Sequence, residues 1–224
     1  MKRVISAFLC MVMIFSFASC KEETKEPEKK EEQYFCTAGE GKIKVLSLES
    51  ADGVFVEKGN KDEVKGVATI KVRNDSEQML EFGKIVFQVN DIERAEFEVC
   101  ALPAGEQCVV METAARPLNE SDKYKLNNAD SVFAYCDQSV ESDKYTVETD
   151  GSTIKVTNNT DAPLNVRIAY KYFMDKMYYG GIAFRGSFEN IAPHETVEKT
   201  SSRFDSDCRI VNITTDTDMS VTTK

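Results

Sequence analysis

Five cysteines and one histidine are the residues downstream of residue 34 best suited to covalent or metal chemistry. The cysteines are Cys36, Cys100, Cys108, Cys136 and Cys208. No two of them have C-x-x-C spacing, which argues against a thioredoxin-like redox site and against a zinc knuckle. His194 is the only histidine, and its Ala-Pro-His-Glu setting predicts an exposed turn. Histidine-based catalysis and a zinc site are therefore not expected.

In an oxidising compartment, disulfide bonds are the simplest use of these cysteines. Cys136 and Cys208 lie near the two ends of the second half, and a bridge closing a loop of about 70 residues would stabilise it by roughly 4 kcal/mol. Cys100 and Cys108 could pair across a hairpin. Pairing of Cys36 with Cys100 or Cys108 is the open alternative, because an odd number leaves at least one thiol unpaired.

Tyr178, Tyr179 and Arg185 are the candidate binding residues, since exposed tyrosine and arginine side chains commonly supply binding energy. They lie in the segment MDKMYYGGIAFRG, residues 174–186. The competing interpretation places the aromatic side chains in the core and the Gly180-Gly181 pair in a hairpin turn. No metal site is expected, because the aspartates of residues 150–218 do not form a D-x-D-x-D-G calcium loop.

The first twenty residues have the order of a secretory signal. Two basic residues, Lys2 and Arg3, precede an apolar run over residues 4–18, and Phe-Ala-Ser-Cys ends at Cys20. The run is short for a membrane-spanning helix, which needs about 20 residues. Small residues before a cysteine at this place resemble the lipobox of bacterial lipoproteins. The resemblance implies cleavage after residue 19 and lipid attachment to Cys20, which is then the covalent membrane anchor.

Residues 20–34 are predicted to be a lipidated, charged linker. Residues 21–33 contain ten charged residues in thirteen, and such a segment cannot bury enough apolar surface to fold. Removing residues 1–19 leaves 26 basic and 38 acidic residues. This acidic balance argues against nucleic-acid binding and against docking on anionic headgroups, so membrane attachment would depend on the lipid.

The chain contains a repeated sequence pattern. Residues 69–76 read TIKVRNDS and residues 153–160 read TIKVTNNT, an offset of 84. Further on, Leu-Pro-Ala-Gly-Glu at residues 102–106 matches Ile-Ala-Pro-His-Glu at residues 191–195, an offset of 89. The second copy therefore has five extra residues between these points. The agreement in order and spacing favours a duplication over chance similarity.

Both copies show the alternation of half-buried strands. In the second copy, Leu164, Val166, Ile168, Tyr170 and Tyr172 alternate with Asn165, Arg167, Ala169 and Lys171. Turn signals such as Asp-Gly and Asn-Asn separate the runs. We therefore predict an all-β protein of two tandem antiparallel Ig-like β-sandwiches, at residues 35–120 and 131–224.

The order of strands and turns in each half resembles the small Ig-like FxLYD-type modules of bacterial envelope proteins. The segments that carry the resemblance are Phe-Gln-Val-Asn-Asp at residues 87–91 and Tyr-Phe-Met-Asp at residues 172–175. The central aromatic-Leu-Tyr-Asp element is not intact in either copy. The resemblance implies a spacer or a binding unit.

Together these patterns predict a lipoprotein on the extracytoplasmic face of the cell membrane. It would be a non-enzymatic binding or structural module, without a cofactor other than the lipid on Cys20. Its partner would be an envelope protein, a wall polymer or an extracellular ligand. The alternatives are a solute-binding lipoprotein of a transporter, which usually shows βαβ patterning, and an envelope hydrolase.

Overall fold

The computed structural model describes residues 34–57, 59 and 62–216, which belong to one compact unit spanning residues 33–224. The predicted signal peptide, Cys20 and nearly all of the charged linker lie outside the described residues. Strands dominate this part of the chain, which contains no α-helix and therefore no helix able to cross a membrane. The strands are β1 (Cys36–Ala38), β2 (Ile43–Phe55), β3 (Asp62–Asn74), β4 (Met79–Val89), β5 (Glu93–Leu102), β6 (Gln107–Met111), β7 (Tyr124–Leu126), β8 (Val132–Cys136), β9 (Tyr145–Asp150), β10 (Thr153–Asn158), β11 (Leu164–Met174), β12 (Met177–Ile191), β13 (Thr196–Thr200) and β14 (Cys208–Thr215).

The strands form three sheets, which confirms the predicted all-β, sandwich-like fold. A seven-stranded sheet has the order β1-β2-β3-β6-β12-β11-β14. In a four-stranded sheet, β4 pairs with β5, β7 and β8. A three-stranded sheet, β13-β10-β9, belongs to the second half.

Both halves contribute strands to the largest sheet. The junction is a short parallel pairing of β6 with β12, where Cys108 lies opposite Tyr178 and Val109 opposite Tyr179. In addition β8, which lies within residues 131–224, pairs with β4 of the first half. The division into two tandem domains therefore stays a prediction, and the structure adds a backbone connection between them.

Two hydrophobic clusters lie on either side of this junction. The first joins the four-stranded sheet to the β1–β3 and β6 part of the large sheet, with Phe87 and Phe97 among its fully buried side chains. The second joins the three-stranded sheet to β11, β12 and β14 around Tyr170, Phe184 and Phe188. Burial of these apolar side chains is the main term that stabilises the sheets.

Asn74 and Asn158, which the sequence alignment pairs, make equivalent hydrogen bonds. The buried amide group of Asn74 donates to the carbonyl oxygens of Gln78 and Leu102, and that of Asn158 donates to the equivalent carbonyls of Ala162 and Ile191 and also to that of Ala192. Each Oδ1 accepts from the backbone and side chain of the residue two positions later, Ser76 or Thr160. These bonds satisfy buried polar groups where one strand ends and the next begins.

The turn that closes each copy is also equivalent. The backbone N–H of Asn74 donates to Glu106, and that of Asn158 donates to Glu195. Just before these acceptors, Gly105 and His194 have φ values of 76° and 60°. Glycine adopts this left-handed conformation without strain, whereas most other residues are strained in it. The shape of the turn therefore determines the backbone conformation of His194.

Candidate functional site

Lys171 is the most unusual side chain of the described residues. Strand alternation places it on the polar face of β11, whereas in the structure it is fully buried, at 0% exposure. The reason is that β11 lies inside the seven-stranded sheet and both of its faces are covered. Tyr170 packs in the second cluster, while Phe173 and Ala169 pack against the first.

The ammonium group of Lys171 is surrounded by backbone carbonyl oxygens. Its Nζ donates to Cys100 at 2.8 Å, to Gly180 at 3.0 Å, to Ile182 at 2.9 Å and to Gly181 at 3.3 Å. A buried charge is costly unless hydrogen bonds replace its hydration. Lys171 therefore acts as a cross-link between β5 of the first half and β12 of the second.

A bulge in β12 lies opposite Lys171. The partner of Tyr170 is Phe184 and the partner of Tyr172 is Tyr179. Strand β11 thus advances by two residues while β12 advances by five. Strand β12 therefore contains three extra residues at this point. The carbonyl groups of Gly180, Gly181 and Ile182 in this bulge accept the hydrogen bonds of Lys171. Bulges of this kind redirect a strand and are common beside functional sites.

Glu57 holds the same bulge from the other side. Its Oε2 accepts the backbone N–H of Gly181 at 2.5 Å, and its Oε1 accepts that of Met111 at 2.8 Å. Burial raises the pKa of the Glu57 carboxyl, and the two backbone N–H groups and the Lys171 ammonium act against that rise. Both carboxylate oxygens are therefore committed to the backbone of the protein.

Two glycines allow the bulge to pack closely. A Cβ atom on Gly181 would lie 1.8 Å from the carbonyl oxygen of Glu98, and one on Gly180 would lie 2.1 Å from a methyl group of Val56. Gly180 also has a φ of 79°, which favours glycine. The predicted glycine hairpin is thus incorrect, because the turn lies at Asp175 and Lys176 and the glycines form the bulge.

A surface groove of about 520 Å³ runs along the outer side of this bulge. Half-buried Ile182 and Ala183 line it, together with the largely buried Phe184. Arg185, Arg203, Ser201 and Glu57 are the polar side chains among its lining residues. Its size is in the range of small-ligand sites.

Two arginines give the groove its charge. Arg203 has its guanidinium carbon 5.4 Å from the centre of the Phe184 ring, and its backbone N–H donates to Ser201 Oγ at 3.2 Å. Arg185 and Arg203 are both exposed. Among the described residues, neither forms an ion pair with a carboxylate. The groove is therefore lined by two arginines and by the Glu57 carboxyl, without a direct ion pair between them among the described residues.

The three predicted binding residues lie in different environments. Tyr178 is only 5% exposed and packs edge-on against Phe173 in the first cluster, and burial raises its pKa to about 12. Tyr179 donates its hydroxyl hydrogen bond to the carbonyl of Val54 at 3.2 Å. Of the three, Arg185 alone lines the groove. Tyr178 is thus a core residue.

Neither predicted disulfide bond is present, because all five described cysteines are free thiols. Cys136 pairs with Met79 on the four-stranded sheet, while Cys208 lies on β14 at the end of the seven-stranded sheet. Cys100 and Cys108 do not face each other across a hairpin, since β5 and β6 belong to different sheets.

His194 lies in an exposed turn, and its Nε2 is 2.9 Å from Asp161 Oδ1. In the described ranges, no group of three histidine, cysteine or acidic side chains is placed to hold a metal ion. The absence of cofactor and metal chemistry remains a prediction from the sequence.

Sequence reasoning missed Glu57, Lys171 and Arg203. Glu57 and Lys171 are separated by more than a hundred residues in the chain, so no local pattern connects them. The period-two alternation of β11 predicted an exposed side chain for Lys171, whereas it is buried. The five extra residues of the second copy were the available signal, since three of them form the bulge. Arg203 carries no local motif.

Comparison with known proteins does not assign the chain to a family. No protein-family model, curated protein or solved structure matches the chain.

Proposed function

We propose that this protein is a lipid-anchored, extracytoplasmic binding module of a bacterial cell envelope. The lipobox-like sequence ending at Cys20 supports the anchor, and the charged residues 21–33 support a tether that holds the folded part away from the membrane. A single membrane-attached chain of this kind would present the sandwich fold to the envelope or to the medium.

The observation that carries the binding role is the groove beside Lys171. Its base is a strand bulge fixed by the ammonium of Lys171 and the carboxylate of Glu57, not a free loop. A site whose backbone is held in place before a ligand arrives loses less entropy on binding. Since both oxygens of Glu57 accept backbone hydrogen bonds, the carboxylate supports the groove structurally.

Lipid attachment is tested by labelling cells with a fatty-acid analogue. We expect the wild-type protein to incorporate the label, Cys20→Ser to lose it, and Cys10→Ser to keep it. Cys10 lies inside the apolar run and is a matched control for loss of a thiol. Equal labelling of Cys20→Ser and the wild-type protein would refute the anchor.

Binding to the envelope is tested by cosedimentation of the purified protein with washed cell-wall sacculi, before and after removal of surface proteins. Pelleting with bare sacculi would identify a wall polymer as the partner. Pelleting only with protein-bearing sacculi would identify a protein partner. If the protein stays in the supernatant in both cases, the envelope-binding role is refuted and a solute-binding role takes its place.

A further inference from the structure

Strand β13 is the counterpart of β6 in the second copy of the repeat. The match of residues 102–106 with residues 191–195 continues into these strands, so Gln107–Met111 aligns with Thr196–Thr200 at the same offset of 89. Each strand pairs antiparallel with the strand that carries the TIKV segment, β3 in the first copy and β10 in the second. The two strands therefore hold equivalent places in the repeat.

In the described part of the chain, β6 has a neighbouring strand on both sides and β13 has one on a single side. The second neighbour of β6 is β12, which pairs with it in parallel, whereas β13 is the end strand of the sheet β13-β10-β9. Burial follows this difference. Three of the five residues of β6 are buried, while every residue of β13 except half-buried Val197 is exposed.

The hydrogen-bond pattern shows which backbone groups of β13 lie on the free edge. The N–H of Asn158 donates to the carbonyl oxygen of Glu195, the residue just before β13. Antiparallel pairs alternate between bonded and non-bonded residues. In the register of β10 with β13, the N–H and C=O groups that point away from β10 therefore belong to Thr196, Glu198 and Thr200.

The equivalent groups of β6 are occupied. There the N–H of Asn74 donates to Glu106 in the same way, so the outward groups include those of Val109 and Met111. Val109 lies in the pairing with β12, and the N–H of Met111 donates to Glu57. The free edge of β13 thus matches an edge that already accepts a strand within this molecule, and an unpaired edge is a template for a further strand.

The charged side chains of β13 lie on the two faces of the sheet. The Glu198 carboxylate is 3.7 Å from the Nζ of Lys155. Lys199 extends to the opposite face, where its Nζ donates to the carbonyl oxygen of Ser187 and lies over the ring of Phe188. Both side chains therefore leave the outward backbone groups open, while their charges oppose indiscriminate pairing of the edge.

We infer that the free edge of β13 binds an extended strand of a partner protein, which adds in parallel to β13 as β12 adds to β6. Backbone hydrogen bonds to the outward groups of β13 supply the affinity in this mode of recognition. The partner is a polypeptide, since an extended peptide backbone offers the matching series of N–H and C=O groups. This inference rests on the proposed binding role and specifies the class of its partner.

The test uses a synthetic peptide of residues 174–183 as the added strand. This peptide contains Tyr178 and Tyr179, the two residues of β12 that pair with β6. We titrate it into the purified full-length protein and record NMR spectra. The amide resonances of β13 should shift in a saturable manner, and hydrogen exchange at the Glu198 amide should slow because that N–H acquires an acceptor.

The variant is Glu198→Pro, with Thr149→Pro as the control. Glu198→Pro removes an outward N–H, and proline is accepted on edge strands where the N–H does not pair. Thr149 lies on β9, the other free edge of the same sheet, and its N–H points away from β10 by the same alternation. We expect the peptide to bind Glu198→Pro roughly tenfold more weakly and Thr149→Pro as well as the wild-type protein. Unchanged resonances of the seven-stranded sheet show that each variant is folded.

Equal binding of the peptide by Glu198→Pro and the wild-type protein would overturn the inference, as would the absence of saturable shifts on β13. The sacculus experiment distinguishes this failure from failure of the proposed function. Pelleting with bare sacculi refutes the polypeptide partner and leaves the binding role standing. Peptide binding at β13 by a protein that pellets with neither kind of sacculus supports the strand site and refutes the envelope-binding role.

Discussion

Lys171 on β11 donates a hydrogen bond of 2.8 Å from its Nζ to the carbonyl oxygen of Cys100 on β5. This contact joins the two copies of the repeat through a buried charge. The same ammonium binds three carbonyl groups of β12, so it also fixes the base of the groove. Stability and groove shape therefore depend on one side chain.

Replacement of Lys171 by methionine tests this dependence. The variant keeps a similar apolar chain but removes the ammonium donor from four carbonyl groups, of which that of Gly180 has a further donor, the Cys108 thiol, and it removes the positive charge near Glu57. We expect the free energy of unfolding to fall by about 3 kcal/mol, measured by urea denaturation. Lys65→Met, at an exposed position on β3, is the control and should change stability by no more than about 0.5 kcal/mol.

A double-mutant cycle separates the charge interaction from packing. Glu57→Gln combined with Lys171→Met should cost less than the sum of the two single changes, because the remaining buried charge is removed. Additive effects would show that Glu57 and Lys171 act independently and would contradict the paired arrangement.

The pH dependence of stability provides a second test of Glu57. Burial raises the pKa of its carboxyl above the usual 4.5, so the folded protein holds this proton more tightly than the unfolded chain. The resulting stabilisation is complete below pH 4.5 and is lost as the pH rises through the folded-state pKa. Glu57→Gln has no such proton to lose.

We therefore expect the stability of the wild-type protein, relative to Glu57→Gln, to fall in urea denaturation as the pH rises above 4.5. Glu63→Gln, which removes an exposed carboxylate on β3, is the matched comparison. A difference between wild type and Glu57→Gln that does not vary with pH would contradict the assignment.

Gly181→Ala tests the close approach of β12 to β5. The new methyl group would lie 1.8 Å from the Glu98 carbonyl oxygen, so the backbone must move. We expect a loss of about 3 kcal/mol or more. Gly186→Ala on the same strand meets its nearest side-chain atom at 3.8 Å and should change stability by less than about 1 kcal/mol. Thermal denaturation compares the two, and equal effects would argue against the tight packing.

Asn74 and Asn158 should contribute equally to the free energy of unfolding. Change to alanine removes the side-chain partner of one backbone N–H in each copy, and of two carbonyl groups for Asn74 and three for Asn158, so each change should cost about 2 kcal/mol. Asn159→Ala, at an exposed site, should have little effect. Urea unfolding of the three variants measures this, and a stability for Asn158→Ala close to that of Asn159→Ala would contradict it.

The cysteines should react slowly in the folded protein. Burial raises the pKa of Cys36, Cys108 and Cys208 from 9.0 to about 11, and only the thiolate is nucleophilic. Their alkylation by iodoacetamide should therefore accelerate as the pH approaches 11. Mass spectrometry after unfolding without reductant should find all five labelled. Rapid labelling of the native protein near pH 8, or fewer than five labels, would disagree with the structure.

The alternation of apolar and polar residues was sufficient to predict strands and a sandwich, because burial of one sheet face is a local, period-two signal. The repeat was also visible in the sequence, and Asn74 and Asn158 have equivalent hydrogen bonds in the structure. Disulfide pairing was not predictable, since it depends on which strands are neighbours.

The amino-acid sequence was enough to predict the strand character and the repeated pattern of the two copies, because both depend on residues close together in the chain. The pairing of β6 with β12, which joins the halves into one sheet, was visible only in the three-dimensional structure. The first cluster packs against Ala169 and Phe173 on one face of β11, and Lys171 on the same face is buried and binds carbonyl groups of β5 and β12. Such long-range contacts arise from packing in three dimensions, and the groove is formed by the same contacts.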